Sequence, residues 1–409
     1  MAVNLPPLGA LSPVPGVRLG TARAGVKASL PADRQDLVVM LLEPNSAVAG
    51  VFTRNAFRAA PVQLAEAAIA RGGVRALVIN SGNANAATAE PGREDAQRIC
   101  DELADRASLP RGSVLPFSTG VIGVRLPVDR IVAALQPALA AARPDGWGDA
   151  ARAIMTTDTL PKAFSRRVSV AGAPVTITGI AKGAGMIRPD MATMLAYLCC
   201  DANVAPGCLD QLVRQVADAS FNRITIDGDT STNDSFVMVA TGMADHPPIS
   251  GADDPGHAEL AAALTDVAMS LAQAVVRDGE GATKLVTVRV EGGSLSAECL
   301  KVAYTVAESP LIKTAVFAGD PNWGRFCMAI GRAGVVDLDT SRVDLYLDDV
   351  CVARGGLMAD DYQEADGARV MARDEFQVRI DLGRGTATET VWTTDLSYDY
   401  VKINAEYRT

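Results

Sequence analysis

The arrangement of strand-forming runs constrains this chain most. The runs "RRVSVAG" (166–172) and "PVTITGI" (174–180) are almost contiguous, which predicts a β-hairpin. "EFQVRIDLG" (375–383) and "TATETVW" (386–392), joined through Gly383, Arg384 and Gly385, predict another. Further strand-like runs are "RALVIN" (75–80), "TMLAYLCC" (193–200), "SFVMVATG" (235–242), "KLVTVRVEG" (284–292) and "VDLYLD" (343–348). Val286, Val288 and Val290 alternate with Thr287 and Arg289, the pattern of a half-exposed strand. Helical periods fall at about 62–72, 93–107, 127–143, 206–219 and 256–276. In the last, Leu260, Ala263, Leu264, Val267, Leu271 and Val275 define one buried stripe. Strands and helices interleave, but hairpins are frequent and no regular strand–helix–strand rhythm runs through the chain. The expected fold class is therefore α+β, with mixed or antiparallel sheets layered with helices. "DHPPISGADDPGH" (245–257) is expected as an exposed loop.

Composition narrows the function. With 48 acidic against 38 basic side chains the net charge is −10, whereas a phosphate-binding partner needs a basic surface. Aromatic residues make up 5%, too few for stacking platforms, so no nucleic-acid partner is expected. The two histidines, His246 and His257, leave little from which to build a His-based metal site or a Ser-His-Asp relay. No metal is expected, and catalysis needs another base. The sequence contains neither a phosphate-cradling glycine loop nor a G-x-S-x-G elbow. The seven cysteines are odd in number and form no C-x-x-C pair, so they read as buried thiols in a reducing compartment. Adjacent Cys199 and Cys200 would point to opposite faces of a strand. No apolar stretch approaches the ~18 residues of a membrane span. Arg18, Arg23 and Lys27, with no acid before Asp33, raise a transit peptide, but Pro6, Pro7, Pro13 and Pro15 would break its helix. The expectation is a cytoplasmic protein without membrane contact.

The segment "GIAKGAGMIRPDMATMLAYLCCDA" (179–202) carries the chemistry. Glycines, a proline and an acid run directly into a strand that opens at Thr193. A hydroxyl placed there can face the carbonyl of Ala192. Attack by Thr193 Oγ would give an N→O acyl shift, and hydrolysis of the ester would leave a threonine with a free α-amine. Such an amine has a pKa of about 7.7–8.0, so a useful fraction is unprotonated near neutrality and tethered to the hydroxyl it must activate. This pairing needs no imidazole. On spacing alone, a Gly-rich turn feeding a buried strand is the simpler account. Motifs elsewhere shift that balance.

"KGAGMIRPDMATML" resembles the cleavage and nucleophile segment of the ornithine acetyltransferase family, also called the glutamate N-acetyltransferases. The likeness continues, in order, through "VPGVRLGTARAGVK" (14–27), "VINSGNANAATA" (78–89), "FSTGVIGVRLP" (117–127), "AIMTTDTLPKA" (153–163), "DGDTSTNDS" (227–235), "VVRDGEGATKL" (275–285), "GDPNWGR" (319–325) and "VKINAEYRT" (401–409). It covers nearly the whole chain. The resemblance implies self-cleavage between Ala192 and Thr193 into an α chain, 1–192, and a β chain, 193–409. Together these form one catalytic unit of the N-terminal-threonine-nucleophile type.

The same resemblance implies that Thr193 is the nucleophile and that Thr119 and Gly120 form the oxyanion hole. Substrate binding falls on the threonine of "MTTD" (Thr156, with Thr157 as its alternative), Lys182, Thr193, Glu280, Asn404 and Thr409. Lys182 can pair with a substrate carboxylate and Glu280 with an ammonium. Asn404 and Thr409 in a C-terminal tail imply a tail folded back over the site, of this subunit or of a neighbour. The implied activity moves acetyl from N2-acetyl-L-ornithine to L-glutamate by a ping-pong route in arginine biosynthesis. No cofactor is implied; acetyl-CoA is a conceivable co-substrate, and the implied assembly is α2β2. The nearest alternative is a related self-cleaving amidohydrolase or aminopeptidase with water as acceptor; a third class is a binding protein that stays uncut. "DGDTSTND" (227–234) superficially suggests a calcium loop but lacks the distal Glu. "GDPNWGR" reads as a structural turn around the site.

Overall fold

The computed structural model describes residues 2–27, 31, 33–188 and 194–406. The hairpin expected over 166–180 forms: Lys162–Val170 pairs antiparallel with Ala173–Lys182. Its linking residues, Ala171 (φ 49°) and Gly172 (φ 85°), are both left-handed, which matches the turn to the strands' twist. Ala173–Lys182 then pairs with Leu195–Cys200, which runs parallel to Ser235–Ala240, and Ala47–Phe52 closes the far edge of this five-stranded sheet.

Leu195–Cys200 is central in that sheet and buried at all its positions. Leu195, Tyr197 and Cys199 enter one apolar cluster while Ala196, Leu198 and Cys200 enter another, as alternation requires of a strand covered on both faces. Cys199 and Cys200 therefore do point to opposite faces. Against the second face pack Pro206–Ala219 and His257–Arg277, through Leu209, Leu212, Leu264 and Leu271. Against the first lies a four-stranded sheet in the order Val17–Ala22, Leu37–Leu42, Ala76–Asn83, Val114–Val121. Ala89–Arg106 and Val128–Ala140 cover its outer face through Ile99, Leu103, Ile131 and Leu135. The α+β expectation is met as four layers, helices outside and two sheets within. A six-stranded sheet and its helices form a separate cluster around Val288, Val302, Phe326 and Val378.

Three expectations are corrected. The hairpin predicted over 375–392 does not form, because Leu285–Gly293 lies between Glu375–Asp381 and Ala387–Thr394, parallel to the first and antiparallel to the second. Val286, Val288 and Val290 share a buried face with Val378, Ile380 and Val391, so the middle place is the one that covers this strand on both edges. The link through Gly383 (φ 60°) straddles its end, with Arg384 N donating to Gly292 O at 2.8 Å. Second, the 21-residue helix His257–Arg277 contains an 18-residue window of mean hydropathy 1.4, long and apolar enough to cross a membrane by length and composition. Its stripe of Leu260, Leu264, Val267, Leu271 and Val275 is instead packed in the core. Third, five of the cysteines are buried, but Cys327 and Cys351 are partly exposed, since neighbouring Phe326 and Val352 take the inward positions.

Candidate active site

The two inner sheets end together around a cavity of ≈ 240 Å³. Thr119, Gly120, Thr156, Thr157, Lys182, Glu280 and Asn404 all line it, with Met194 and Leu195 at the opening of the central strand. The sequence candidates thus converge, and both threonines of "MTTD" contribute. Ala192, Thr193 and Thr409 lie outside the described residues.

Thr119 and Gly120 end the strand Val114–Val121. The parallel register with Ala76–Asn83 breaks where Asn83 meets both Thr119 and Val121, an irregularity that stops the ladder at the cavity. Gly120 has φ 132°, and a Cβ there would come 2.5 Å from Asn83 N, so glycine is required. A chain of buried hydrogen bonds holds this turn in place. Asn80 Nδ2 donates to Asn83 O (2.9 Å), Ser118 Oγ to Asn80 Oδ1 (2.7 Å), and Asn233 Nδ2 to Ser118 O (2.9 Å). Satisfied buried polar networks of this kind rigidify what they connect.

Thr156 and Lys182 are joined by an ion network beneath the cavity. Asp158 accepts from Gly183 N (2.8 Å) and Thr156 N (2.9 Å). Lys162 Nζ, fully buried, bridges Asp158 (2.6 Å) and Asp278 (2.7 Å). Burial alone would raise the Asp158 carboxyl, but Lys162 and Lys182 override it and hold the group well below the usual range. Burial pushes Lys182 downward, with Asp158, Asp234 and Glu280 opposing and Lys162 reinforcing.

Glu280 follows the long helix and is 8% exposed. Its amide donates to Ala184 O at 2.7 Å, and its carboxylate packs so close to Gly185 that a Cβ there would come 2.5 Å from Glu280 Cδ. Asn404 Nδ2 donates to Glu280 Oε2 at 2.8 Å. Asn404 belongs to the tail helix Tyr398–Ala405, capped by Ser397, whose Oγ donates to Gly281 O at 2.6 Å. The tail therefore folds back over the site of its own chain. Tyr400 OH donates to Asp227 Oδ2 (3.2 Å), and Asp227 accepts from Met186 N (2.6 Å) and Ile187 N (2.8 Å). Asp227 thereby ties the backbone at 186–187 to the tail helix.

Sequence reasoning missed Ser231, Thr232, Asn233 and Asp234, which also line the cavity. Their signal is the density of polar residues directly before "SFVMVATG", in the run that superficially suggests a calcium loop. Asp234 is 2% exposed, and its Oδ2 has no hydrogen-bond partner among the described residues. Burial pushes this carboxyl well above the usual range, opposed by Ser231 and Lys182. "GDPNWGR" is a turn between Pro310–Ala318 and Trp323–Gly331, where Arg325 Nη1 donates to Leu311 O at 2.6 Å. It is a structural turn, as expected, but it is not among the residues lining the cavity. His246 serves its own loop, accepting from Asn203 N at 3.1 Å.

Residues 18–409 match the ArgJ family. The chain is 56% identical to the arginine biosynthesis bifunctional protein ArgJ of Pseudomonas syringae pv. tomato, over 100% of both chains. Among solved structures, an ArgJ from Bacillus halodurans is 35% identical, covering 50% of this chain and 95% of its own, with a TM-score of 0.48. An ornithine acetyltransferase from Mycobacterium tuberculosis, complexed with ornithine, is also 35% identical, covering 45% of this chain and 96% of its own, with a TM-score of 0.39. The match over residues 18–409 and the full-length identity of 56% make this chain a member of the ArgJ family.

Proposed function

We propose that the chain cuts itself between Ala192 and Thr193, and that Thr193 then moves an acetyl group from N2-acetyl-L-ornithine to L-glutamate in arginine biosynthesis. The observation that carries this reading is the convergence of Thr119, Gly120, Thr156, Lys182, Glu280 and Asn404 on one cavity at the start of Leu195–Cys200, just past Thr193. The 56%-identical relative, named a bifunctional arginine biosynthesis protein, supports it.

In processing, Thr193 Oγ attacks the Ala192 carbonyl, the peptide C–N bond breaks, and water cleaves the resulting ester. This leaves an Ala192 carboxylate and a Thr193 α-amine. In transfer, that amine takes the hydroxyl proton as Oγ adds to the acetyl carbon. The ornithine nitrogen regains the proton and departs, leaving O-acetyl-Thr193. The uncharged α-amine of glutamate then attacks the ester and restores the hydroxyl. Backbone donors of Thr119 and Gly120 stabilise the developing oxyanion. Lys182 meets the carboxylate common to both substrates, and Glu280, steadied by Asn404, meets the ornithine ammonium. Thr409 completes the substrate site. No cofactor enters; acetyl-CoA is the second acyl donor of a bifunctional enzyme.

Segments 1–192 and 193–409 stay one catalytic unit, because strands on either side of the cut pair in one sheet: Ala173–Lys182 with Leu195–Cys200, and Ala47–Phe52 with Ser235–Ala240. An α2β2 assembly in the cytoplasm completes the reading. The test follows labelled acetyl from N2-acetylornithine, with and without glutamate. Label in N-acetylglutamate is the expected result. Free acetate formed equally well without glutamate would assign an amidohydrolase.

Two substitutions separate the roles. Lys182→Ala is expected to raise KM for both substrates about 10-fold or more, from loss of a charged hydrogen bond, while a denaturing gel still shows two fragments. Unaltered KM values would remove its carboxylate role. Gly120→Ala keeps the backbone N–H but brings a Cβ within 2.5 Å of Asn83 N; the turn must shift, and a misplaced oxyanion donor is expected to lower kcat by up to ~10²-fold, with a smaller change in KM. An undiminished kcat would place the acyl oxygen elsewhere.

A further inference from the structure

Self-cleavage sets a geometric problem that the fold must solve before any substrate binds. Lys182 pairs with Leu195 across adjacent antiparallel strands, so the chain leaves the sheet after Lys182 and rejoins it at Leu195. The bond between Ala192 and Thr193 lies in this excursion. A connection of that length is free to take many conformations. Attack needs the hydroxyl oxygen and the carbonyl carbon aligned and held about 3–3.5 Å apart.

The returning limb is fixed by Ser235, whose amide donates to Met194 O at 2.8 Å. The outgoing limb is fixed at 186–188. Met186 N and Ile187 N donate to the two oxygens of Asp227, at 2.6 Å to Oδ2 and 2.8 Å to Oδ1. Ile187 O accepts from Ile226 N (2.7 Å), and Arg188 O from Thr230 Oγ1 (3.2 Å). Among these contacts, those of Asp227 bear on the residue least able to hold itself. Met186 has φ 56°, a left-handed conformation that persists in a residue with a Cβ only when its surroundings impose it. Met186 is also 41% exposed, whereas Ile187 is 1% exposed within the core. Packing therefore holds Ile187 but not Met186. Two successive amides turned toward one point make a concave anion site, and here the chain fills it with its own carboxylate.

We propose that Asp227 is a positioning residue for self-cleavage, holding the backbone of Met186 and Ile187 so that the Ala192 carbonyl is presented to Thr193 Oγ. This rests on the self-cutting reading above. Asp227 takes no proton and forms no bond in the step: Oγ adds to the carbonyl carbon and the Thr193 nitrogen leaves, as before. After the cut, 186–187 and Thr193 are no longer joined through that bond, so the clamp matters more to cutting than to acetyl transfer.

The experiment follows the uncut chain by pulse-labelling and timed denaturing gels, and scores its folding by resistance to trypsin. Asp227→Ala removes both acceptors and is expected to slow cutting ~10- to 10²-fold, the scale of a misplacement of about 1 Å. Its uncut chain should resist trypsin as well as Thr193→Ala does. Asp227→Asn keeps the shape but only one acceptor oxygen, and should also cut slowly; Asp227→Glu keeps both and should recover part of the rate. Tyr400→Phe removes the tail's bond to Asp227 yet leaves both amides their acceptor, and should cut at close to the parental rate. In the cut fraction of Asp227→Asn, kcat is expected to fall by a smaller factor than the cutting rate. Parental cutting in Asp227→Ala, equal losses of cutting and kcat, or Tyr400→Phe as slow as Asp227→Ala overturns the positioning role. If Asp227→Ala fails to fold, Asp227→Asn and Asp227→Glu decide, and trypsin sensitivity in all three would also overturn it. A parent chain that stays uncut, or is cut at another bond, would instead defeat the functional reading itself.

Discussion

Thr193→Ala is expected to accumulate as a single uncut chain that transfers no measurable acetyl group. Two losses coincide. Without the hydroxyl there is no N→O shift, so no α-amine is released at residue 193. Without Oγ there is also no atom to carry the acetyl group, and loss of a hydroxyl nucleophile lowers kcat by about 10⁶-fold in comparable enzymes. The fold should survive, because the central strand Leu195–Cys200 keeps both sheet neighbours and both apolar clusters. Thr193→Ser retains a hydroxyl and should still cut, with reduced turnover as the unbranched side chain gains rotamer freedom. A denaturing gel and mass spectrometry read the outcome. The parent should give fragments of 192 and 409 − 192 = 217 residues, and the alanine variant one chain. Two such fragments from Thr193→Ala would mean that the scissile bond and the nucleophile have been misplaced.

The fold was legible where an element carries its own periodic stripe. The helices Ala60–Arg71, Ala89–Arg106, Pro206–Ala219 and His257–Arg277 lie close to their sequence-based limits because each buries one continuous face. Elements whose sequence argues against them were missed. Val17–Ala22 contains Gly20, which is needed because a Cβ would come 2.8 Å from Ala142 N. Val114–Val121 contains Pro116 and Gly120, tolerated because this strand is at the edge of its sheet. Ser296–Ala307 carries Val302, Tyr304, Thr305 and Val306, all weak helix formers, and is held by burial of Cys299, Val302, Ala303 and Val306. The false hairpin over 375–392 has the same origin. Local turn chemistry can suggest that two strands pair, but not that a strand from 90 residues earlier comes between them.

For the site, local pattern exposed one chemical possibility at Thr193, and the family resemblance supplied the remaining residues. Lys182 and Glu280 stand beside glycines, and the structure gives the reason in one case: Gly185 leaves room for the Glu280 carboxylate. Asp234 was hidden by its company. Among the acids and hydroxyls of 227–234, sequence cannot distinguish Asp227, which clamps backbone amides, from Asp234, whose Oδ2 is buried without a partner among the described residues. Only three-dimensional burial separates them.

Removing Lys162 is expected to give the largest loss of stability. Its side chain is 0% exposed and bridges Asp158 and Asp278, so Lys162→Met fits the space yet leaves two carboxylates in a dry interior. Breaking a buried ion pair from one side costs about 3–5 kcal/mol. The pH dependence identifies the cause. In the parent, Asp158 is held below its unfolded pKa of about 3.9; its contribution is complete above that value and is lost as pH falls through the folded pKa. In the variant burial acts without Lys162, so the Asp158 pKa moves upward, and stability should improve as acid protonates the group. The deficit measured by urea unfolding should therefore be greatest near neutrality and smaller at about pH 5. Adding Asp158→Asn should recover part of the loss by removing one stranded charge, though the amide keeps a single acceptor oxygen and so leaves either Gly183 N or Thr156 N without its acceptor. KM should consequently rise in both variants, because the same carboxylate that neutralises Lys162 fixes the backbone beside Lys182. A deficit below about 1 kcal/mol that is independent of pH would show that the network contributes neither stability nor order to the cavity.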